Sequence, residues 1–513
     1  MSSARPSRDP DPEQAPAPSV RQPHPPRQPG PLSRLLPQFP ARHPLVIPLA
    51  VGYAAVLFAW CALRHEHFGS SAFELGAYHS MLWNVAYRGT PWNSLERAHQ
   101  WKVHLELGLL PLVPLYRIAP SPAWLWLTEG VACGAAALPI DAIARRVSGD
   151  AVVGLLAAAA MLLTPQLVLG QVADFQPIAL AILPMAVMAW SIEVDSSRGL
   201  VLGALGAILL REQLGAVVAV AAVLWVLRHG IRRAPPAVAL AITAITISWL
   251  EIFVILPSFG EEQAVRVAAQ YGSLAGGSAA ARFVGPLLAA DRRVYVLGLV
   301  SGALPLVFLS FRSLRRAAWP LCLGLPPLLV QIFSRETRKW DLHFPYGVPV
   351  VAAIAAAAVL SLRFLPAPAP PSGERGAPPN LRRLAVAGWL GLVALHLASV
   401  LPSPVGPGRA IDPTFAGSPR AAALGRALAL VPPDASISAQ DDIVPHVATR
   451  SEVHRWPDGS DTDDYVLLDA DGAAPNVTIP GALVAAARGL REGPGFEVLL
   501  DEAGVILARR RPR

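Results

Sequence analysis

Apolar runs of roughly 20 residues recur between residues 44 and 401, each long enough to cross a hydrocarbon layer about 30 Å thick. In lipid, every backbone N–H and C=O must find its partner within the protein, which leaves helices or a closed barrel. The runs are continuous and do not alternate between apolar and polar residues, which selects helices. Charged residues make up only 15% of the chain, against about 25% in soluble domains. The chain therefore reads as an α-helical polytopic membrane protein. Its net charge of +7 is no sign of nucleic acid, because most basic residues stand at the ends of the runs, where topology explains them. Cys61, Cys133 and Cys322 lie in or beside apolar runs and read as small buried hydrophobes, without metal-site spacing.

Residues 1–43, rich in Pro, Arg, Gln and Ser, lack the material for a core and read as a disordered tail inside the cell. Hydropathy then predicts spans at 44–63, 122–143, 151–172, 178–192, 200–210, 214–227, 237–256, 294–311, 317–333, 345–362 and 384–401. That is about eleven crossings, with the first external loop at 65–121, a further external loop at 257–293 and a Pro/Ala/Gly linker at 364–380. The segment 105–116, broken by Pro111 and Pro114, reads as re-entrant or surface-lying. Four basic clusters, Arg145/Arg146, Arg228–Arg233, Arg312–Arg316 and Arg382/Arg383, then fall on the inner side. The basic loop 335–341 counts against this scheme. Residues 402–513 change character. Pro419–Leu430 and Gly481–Leu490 read as helices, while Ser436–Ala439, Asp464–Asp469, Phe496–Leu500 and Val505–Ala508 read as strands. This predicts a small α/β domain outside the cytoplasm.

The stretch His65–Tyr116 is too polar to cross a bilayer, and it carries Glu74, many aromatics and five histidines, His65, His67, His79, His99 and His104. Leu75, Tyr78, Leu82 and Val85 recur at helical spacing, which predicts an amphipathic helix lying at the membrane surface. Ionisable groups at membrane depth are costly and ask for a reason. The outer ends of the spans collect Glu74, His104, Asp174, Gln176, Arg211, Glu212, Arg338 and His343. A carboxylate there can act as general base for a hydroxyl, and an arginine can hold a phosphate through paired hydrogen bonds. A carboxylate–histidine group can also hold a divalent cation, but no spacing here is diagnostic, so metal and cofactor stay unassigned. Each residue also has a plainer reading: Arg211-Glu212 as a locally compensated pair, Asp174 as a cap of the next span before Pro177, Glu74 as a solvated group, His104 as structural.

Several of these residues carry a resemblance. Phe73-Glu74-Leu75-Gly76, Leu82-Trp83-Asn84 and His104 before the segment ending Pro114-Leu115-Tyr116 resemble the start of domain-of-unknown-function family 2079, predicted bacterial membrane proteins. Asp174-Phe175-Gln176-Pro177, Arg211-Glu212-Gln213 and His343-Phe344-Pro345-Tyr346 resemble later motifs of that family, in order. The segments 431–439 and 444–450 resemble its external domain. The family is in turn similar to the GT-C membrane glycosyltransferases. The resemblance implies a GT-C-like helical core in a bacterial plasma membrane, with membrane lipid and a polyprenyl-phosphate-linked sugar donor as partners and sugar transfer at the outer face. It also implies an acidic residue of the first external loop at the centre of the site, here Glu74. Asp174 and Glu212 would join Glu74 as catalytic groups, while His104, Gln176, Arg211, Arg338 and His343 would bind substrate. The chain departs from the family pattern with Glu for Asp at position 74 and Gln for Asp at position 213. Two other classes compete: a transporter or flippase, which predicts broken spans and a site at the bilayer midplane, and a catalytically silent scaffold, which the two departures favour.

Overall fold

The apolar runs fold as helices in the computed structural model of the chain, which describes residues 44–259, 284–366, 380–400, 417–470 and 480–512. The expected tail 1–43 and parts of the expected loop 257–293 and linker 364–380 lie outside the described residues. Eight described helices are long and apolar enough to cross a membrane, or nine if the bent pair Ala151–Leu162 and Pro165–Val172 counts as one span. Leu107–Ile118, Ser197–Ile208 and Leu321–Phe333 are apolar but shorter. The expected count of about eleven is thus reached only if Ser197–Ile208 and Leu321–Phe333 also cross. Each ends where the backbone becomes extended, the first before Arg211 and the second at Ser334. The 45° bend of the paired helices falls at Pro165, whose ring and missing N–H interrupt a continuous helix.

Packing between spans depends on close approach, because lipid removes the hydrophobic drive that operates in water. Helix α1 (Val46–Glu66) lies against the helix Ala123–Ser148, where Gly130 and Gly134 stand one turn apart. A Cβ added at Gly134 would sit 2.5 Å from the carbonyl oxygen of Ala50, and one at Gly130 3.1 Å from that of Ala54. The hub is Pro345–Phe364, whose residues 348–362 are all buried. Their Ala and Val side chains let several helices converge on it. In contrast, Ile231–Ser258 turns Val238, Ile242, Trp249 and Phe253 outward, as a lipid-facing helix should.

Successive helices alternate in direction, so their polar ends collect at two levels. At one level Glu193 binds Arg228 at 2.8 Å and also Arg363, with Arg146 at 3.9 Å. Asp195 with Arg233, Asp150 with Arg383 and Asp141 with Arg145 complete that level. At the other level the first loop meets the turns around residues 174, 211 and 335–347. Helix α2 (Ala77–Arg88) belongs here, and protein covers more of it than the single apolar stripe predicts. Leu75, Tyr78 and Leu82 are buried, but so are His79, Ser80 and Asn84 on other faces. The helix Val113–Ile118 and the C-terminal part of the chain enclose it.

A hairpin of strands β1 (Trp92–Asn93) and β2 (Ala98–His99) follows α2. The C-terminal sheet comprises β3 (Ile437–Ala439), β4 (Val453–Arg455), β5 (Tyr465–Asp469), β6 (Phe496–Glu502) and β7 (Val505–Arg510), in the order β4-β3-β5-β7-β6. β3 runs parallel to β4 and β5, and β7 runs antiparallel to β5 and β6. Alternation along β5 sends Tyr465 and Leu467 to one face, with the helix Pro419–Leu430, and Val466 and Leu468 to the other, with Pro480–Glu492. The first face is completed by Ala72, Ala77 and Leu95 of the first loop, so loop and sheet share one apolar core. Ser94 closes the exposed edge. Its Oγ donates to the Val453 carbonyl at 2.6 Å and accepts from the Val453 N–H at 2.9 Å.

Candidate active site

Glu74 owes its position to its turn. After α1 the chain runs extended at Ser71, and Ala72–Gly76 forms a π-helical turn that opens α2. Such turns displace a side chain from the regular helical face. The Ser71 N–H donates to Asp174 Oδ2 at 2.7 Å, and the Ser71 hydroxyl donates to Glu74 Oε2. The other Glu74 oxygen lies 3.7 Å from Arg338 Nη1. Asp174 is therefore not a cap of the following span. It is a buried tie that also accepts from its own chain at Phe175 N–H and faces Arg64 at 3.9 Å. Burial pushes its carboxyl up to about 7, against the pull of Arg64 and with the help of the nearby Glu74 charge.

The second half of the site forms where the helix Ser197–Ile208 ends. Arg211 adopts an extended backbone, and a short 3-10 turn from Glu212 opens the next helix. The segment 104–108 packs against this break. The Gly108 N–H donates to the Leu209 carbonyl at 2.7 Å, and a Cβ at Gly108 would stand 3.0 Å from Leu210. Two polar pairs follow. Arg211 Nη2 meets Glu106 Oε1 at 2.9 Å, and the Tyr78 hydroxyl donates to the same oxygen at 3.0 Å. His104 Nδ1 and Glu212 Oε1 stand 2.9 Å apart. Burial lowers the His104 imidazole to about 4, with Arg211 adding to the effect and Glu212 opposing it. Burial pushes the Glu106 carboxyl up to about 7 against Arg211 and the Tyr78 hydrogen bond. Burial also works against the charge of Arg211, but Glu106, Tyr78 and Glu212 outweigh it and hold the guanidinium protonated.

Several of these groups border a cavity of about 590 Å³. Glu74, His104, Gln176, Arg211, Glu212 and Arg338, all singled out by sequence, line it together. Arg335 and Lys339 add positive charge on the same wall as Arg338. Two expected site residues are elsewhere: Asp174 sits behind the Glu74 turn, and His343 outside the lining, bound to Asp341 at 2.8 Å. That hydrogen bond lifts the His343 imidazole above its usual range. Among the described residues, no group of three or more His, Cys, Asp or Glu could hold a metal ion. Glu106 and the role of Tyr78 were not legible in the sequence. Glu106 sits between two leucines, and only its backbone, at φ 31°, turns it inward. A carboxylate inside an apolar segment was the available signal.

The sequence matches the family described as Predicted membrane protein (DUF2079) over residues 64–481. The chain belongs to this family. The match covers both halves of the cavity and three of the five strands, β3 to β5, of the C-terminal sheet of this DUF2079 member. No curated protein matches the chain. Among solved structures, the chain is similar to the arabinofuranosyltransferase AftD from Mycobacteria, determined by single-particle cryo-EM, at 14% identity and a TM-score of 0.43. That likeness covers 92% of this chain and 40% of the other, so the DUF2079 chain spans less than half of that enzyme's length. At this TM-score the likeness does not extend to function.

Proposed function

We propose that this DUF2079 member is a membrane glycosyltransferase that moves a sugar from a polyprenyl-phosphate donor to a hydroxyl acceptor at the outer face. The observation that carries the reading is the shared cavity. Glu74 and Arg211, separated by 137 positions in the chain, line one polar chamber together with Arg338. In this reading Glu74 takes the acceptor's hydroxyl proton as the acceptor oxygen attacks the anomeric carbon. The bond from that carbon to the donor phosphate breaks, and polyprenyl phosphate leaves with the electron pair. Arg338, half exposed and not closely bound to Glu74, is the better placed cation for the phosphate. Arg211 is held by Glu106 and supplies fixed positive charge at the cavity wall. Glu212 and His104 form a polar pair that orients sugar or acceptor hydroxyls, as does Gln176.

An outer-face cavity accords with the four basic clusters, which belong to the level opposite the cavity. The same ion-paired level counts against a transporter, which needs an exit on that side. The test supplies full-length protein in membranes with labelled polyprenyl-phosphate sugars. Wild type should transfer label, and Glu74→Ala should lose about 10²-fold or more. Equal transfer by both removes Glu74 from the chemistry.

A further inference from the structure

The C-terminal part of the chain meets the end of α1 at His446. The short helix Val444–Val447 follows β3, and its His446 enters the other half of the protein. The His446 ring stacks on His65 at the end of α1, with centroids 3.9 Å apart and planes 14° apart. Phe68 stacks on it at 4.0 Å. Phe68 has φ 55°, a left-handed conformation that phenylalanine rarely adopts. The ring is thus held between His65 and a strained residue, and its Nε2 is buried without a hydrogen-bond partner. Beside it, Val444 and Pro445 close on the Glu74 turn. A Cβ at Gly76 would stand 3.2 Å from Val444 Cγ1 and 3.6 Å from Pro445 Cγ.

We propose that His446 is a positioning residue: a peg that seats the C-terminal sheet on the membrane helices and, while its ring is uncharged, fixes the turn carrying Glu74. The seat is a fact of geometry, and its bearing on transfer rests on the reading of Glu74 given above. A proton on His446 would put a positive charge in a stacked, desolvated place. Burial holds the imidazole well below the usual histidine range; the neighbouring His65 and His79 push the same way, and a backbone hydrogen bond to His65 opposes them. Next to His65 stands Arg64, and His79 is itself pushed down to about 3 by burial and by His65. None of the titratable side chains acting on His446 is acidic. A folded-state value below the unfolded one means that the seat is firm above about pH 6.5 and weakens as the pH falls below it. One histidine weakens the seat up to about tenfold per pH unit, or about 30-fold at pH 5.

The experiment is hydrogen–deuterium exchange on the full-length protein in nanodiscs, with exchange corrected to intrinsic rates at each pH. Peptides covering 68–77 and 440–450 are followed between pH 8 and pH 5. Wild type should lose protection on acidification. His446→Phe, which can stack but cannot titrate, should depend on pH less steeply, by up to about tenfold per unit. His446→Ala should expose both peptides at every pH. Equal pH dependence in wild type and His446→Phe overturns the proposal, and so does wild-type protection in His446→Ala. In the transfer assay, His446→Ala should lower kcat and leave the donor KM unchanged. Absence of transfer by wild type would end the glycosyltransferase reading and leave the exchange result intact.

Discussion

The Glu106–Arg211 pair lends itself to a double-mutant cycle. The two groups meet at 2.9 Å, with side-chain exposures of 1% and 6%. Charges about 4 Å apart at an effective dielectric near 20 attract by about 4 kcal/mol. Removing one partner of a buried pair costs about 3–5 kcal/mol, because the survivor is left charged and desolvated. Glu106→Gln keeps an acceptor for Tyr78 and Arg211, so the lower end, about 3 kcal/mol, is expected. Arg211→Met leaves a carboxyl whose value already lies at about 7, so it can take up a proton, and its loss should be smaller near neutral pH. The double variant leaves no bare charge and should lose only about 1 kcal/mol beyond Arg211→Met alone, giving a coupling of about 2 kcal/mol or more. Steric trapping of the full-length protein in bicelles measures these free energies at equilibrium. Strictly additive losses in the double variant would refute the pairing.

Glu74→Asp withdraws the carboxylate by about 1 Å and should cut transfer about 10²-fold with little change in donor KM; unchanged kcat would show that the position of this carboxylate does not matter. Gly134→Ala, whose new methyl would meet the Ala50 carbonyl at 2.5 Å, should destabilise the fold by about 1–3 kcal/mol. Gly52→Ala on α1, where nothing lies within 4 Å, should be neutral or stabilising by up to about 1 kcal/mol; equal losses at both sites in the same bicelle assay would dismiss the close crossing. Asp442, buried beside Asp469, has its carboxyl pushed up to about 7 by burial, so its charge opposes folding as the pH rises. Asp442→Asn should stabilise the sheet by an amount that grows from about pH 4 to pH 7, with an upper bound near 4 kcal/mol. Exchange in peptide 465–469 would register this, and a gain independent of pH would rule it out.

The spans were legible because lipid forces each apolar run to satisfy its own backbone. Exact crossings were less so, because extended backbone at Arg211 and Ser334 ends helices without changing their hydropathy. Six of the eight expected site residues meet because they lie at alternate ends of antiparallel helices, which hydropathy and charge together encode. Asp174 was visible as a charge at a helix boundary, but its work on Ser71 depends on a contact 103 residues away. Helix α2 shows the same limit. Its apolar stripe was real, but what covers the remaining faces comes from Val113–Ile118 and from the end of the chain, and periodicity is silent about both. The strands β3, β5, β6 and β7 stood out by pattern, whereas β4, whose His454 and Arg455 break the apolar run, did not.

The apolar core shared by the first loop and the C-terminal sheet also sets a timetable for synthesis. Ser94 waits for Val453, 359 residues later. At roughly 5–20 residues per second, that wait is about 20 to 70 s. Throughout it the ribosome is still delivering helices while Ala72, Ala77 and Leu95 lack their partners. A nascent chain halted before residue 437 would therefore carry the cavity's carboxylate on an unseated loop, so the turn bearing Glu74 is seated only once the strands from β3 onward have been made.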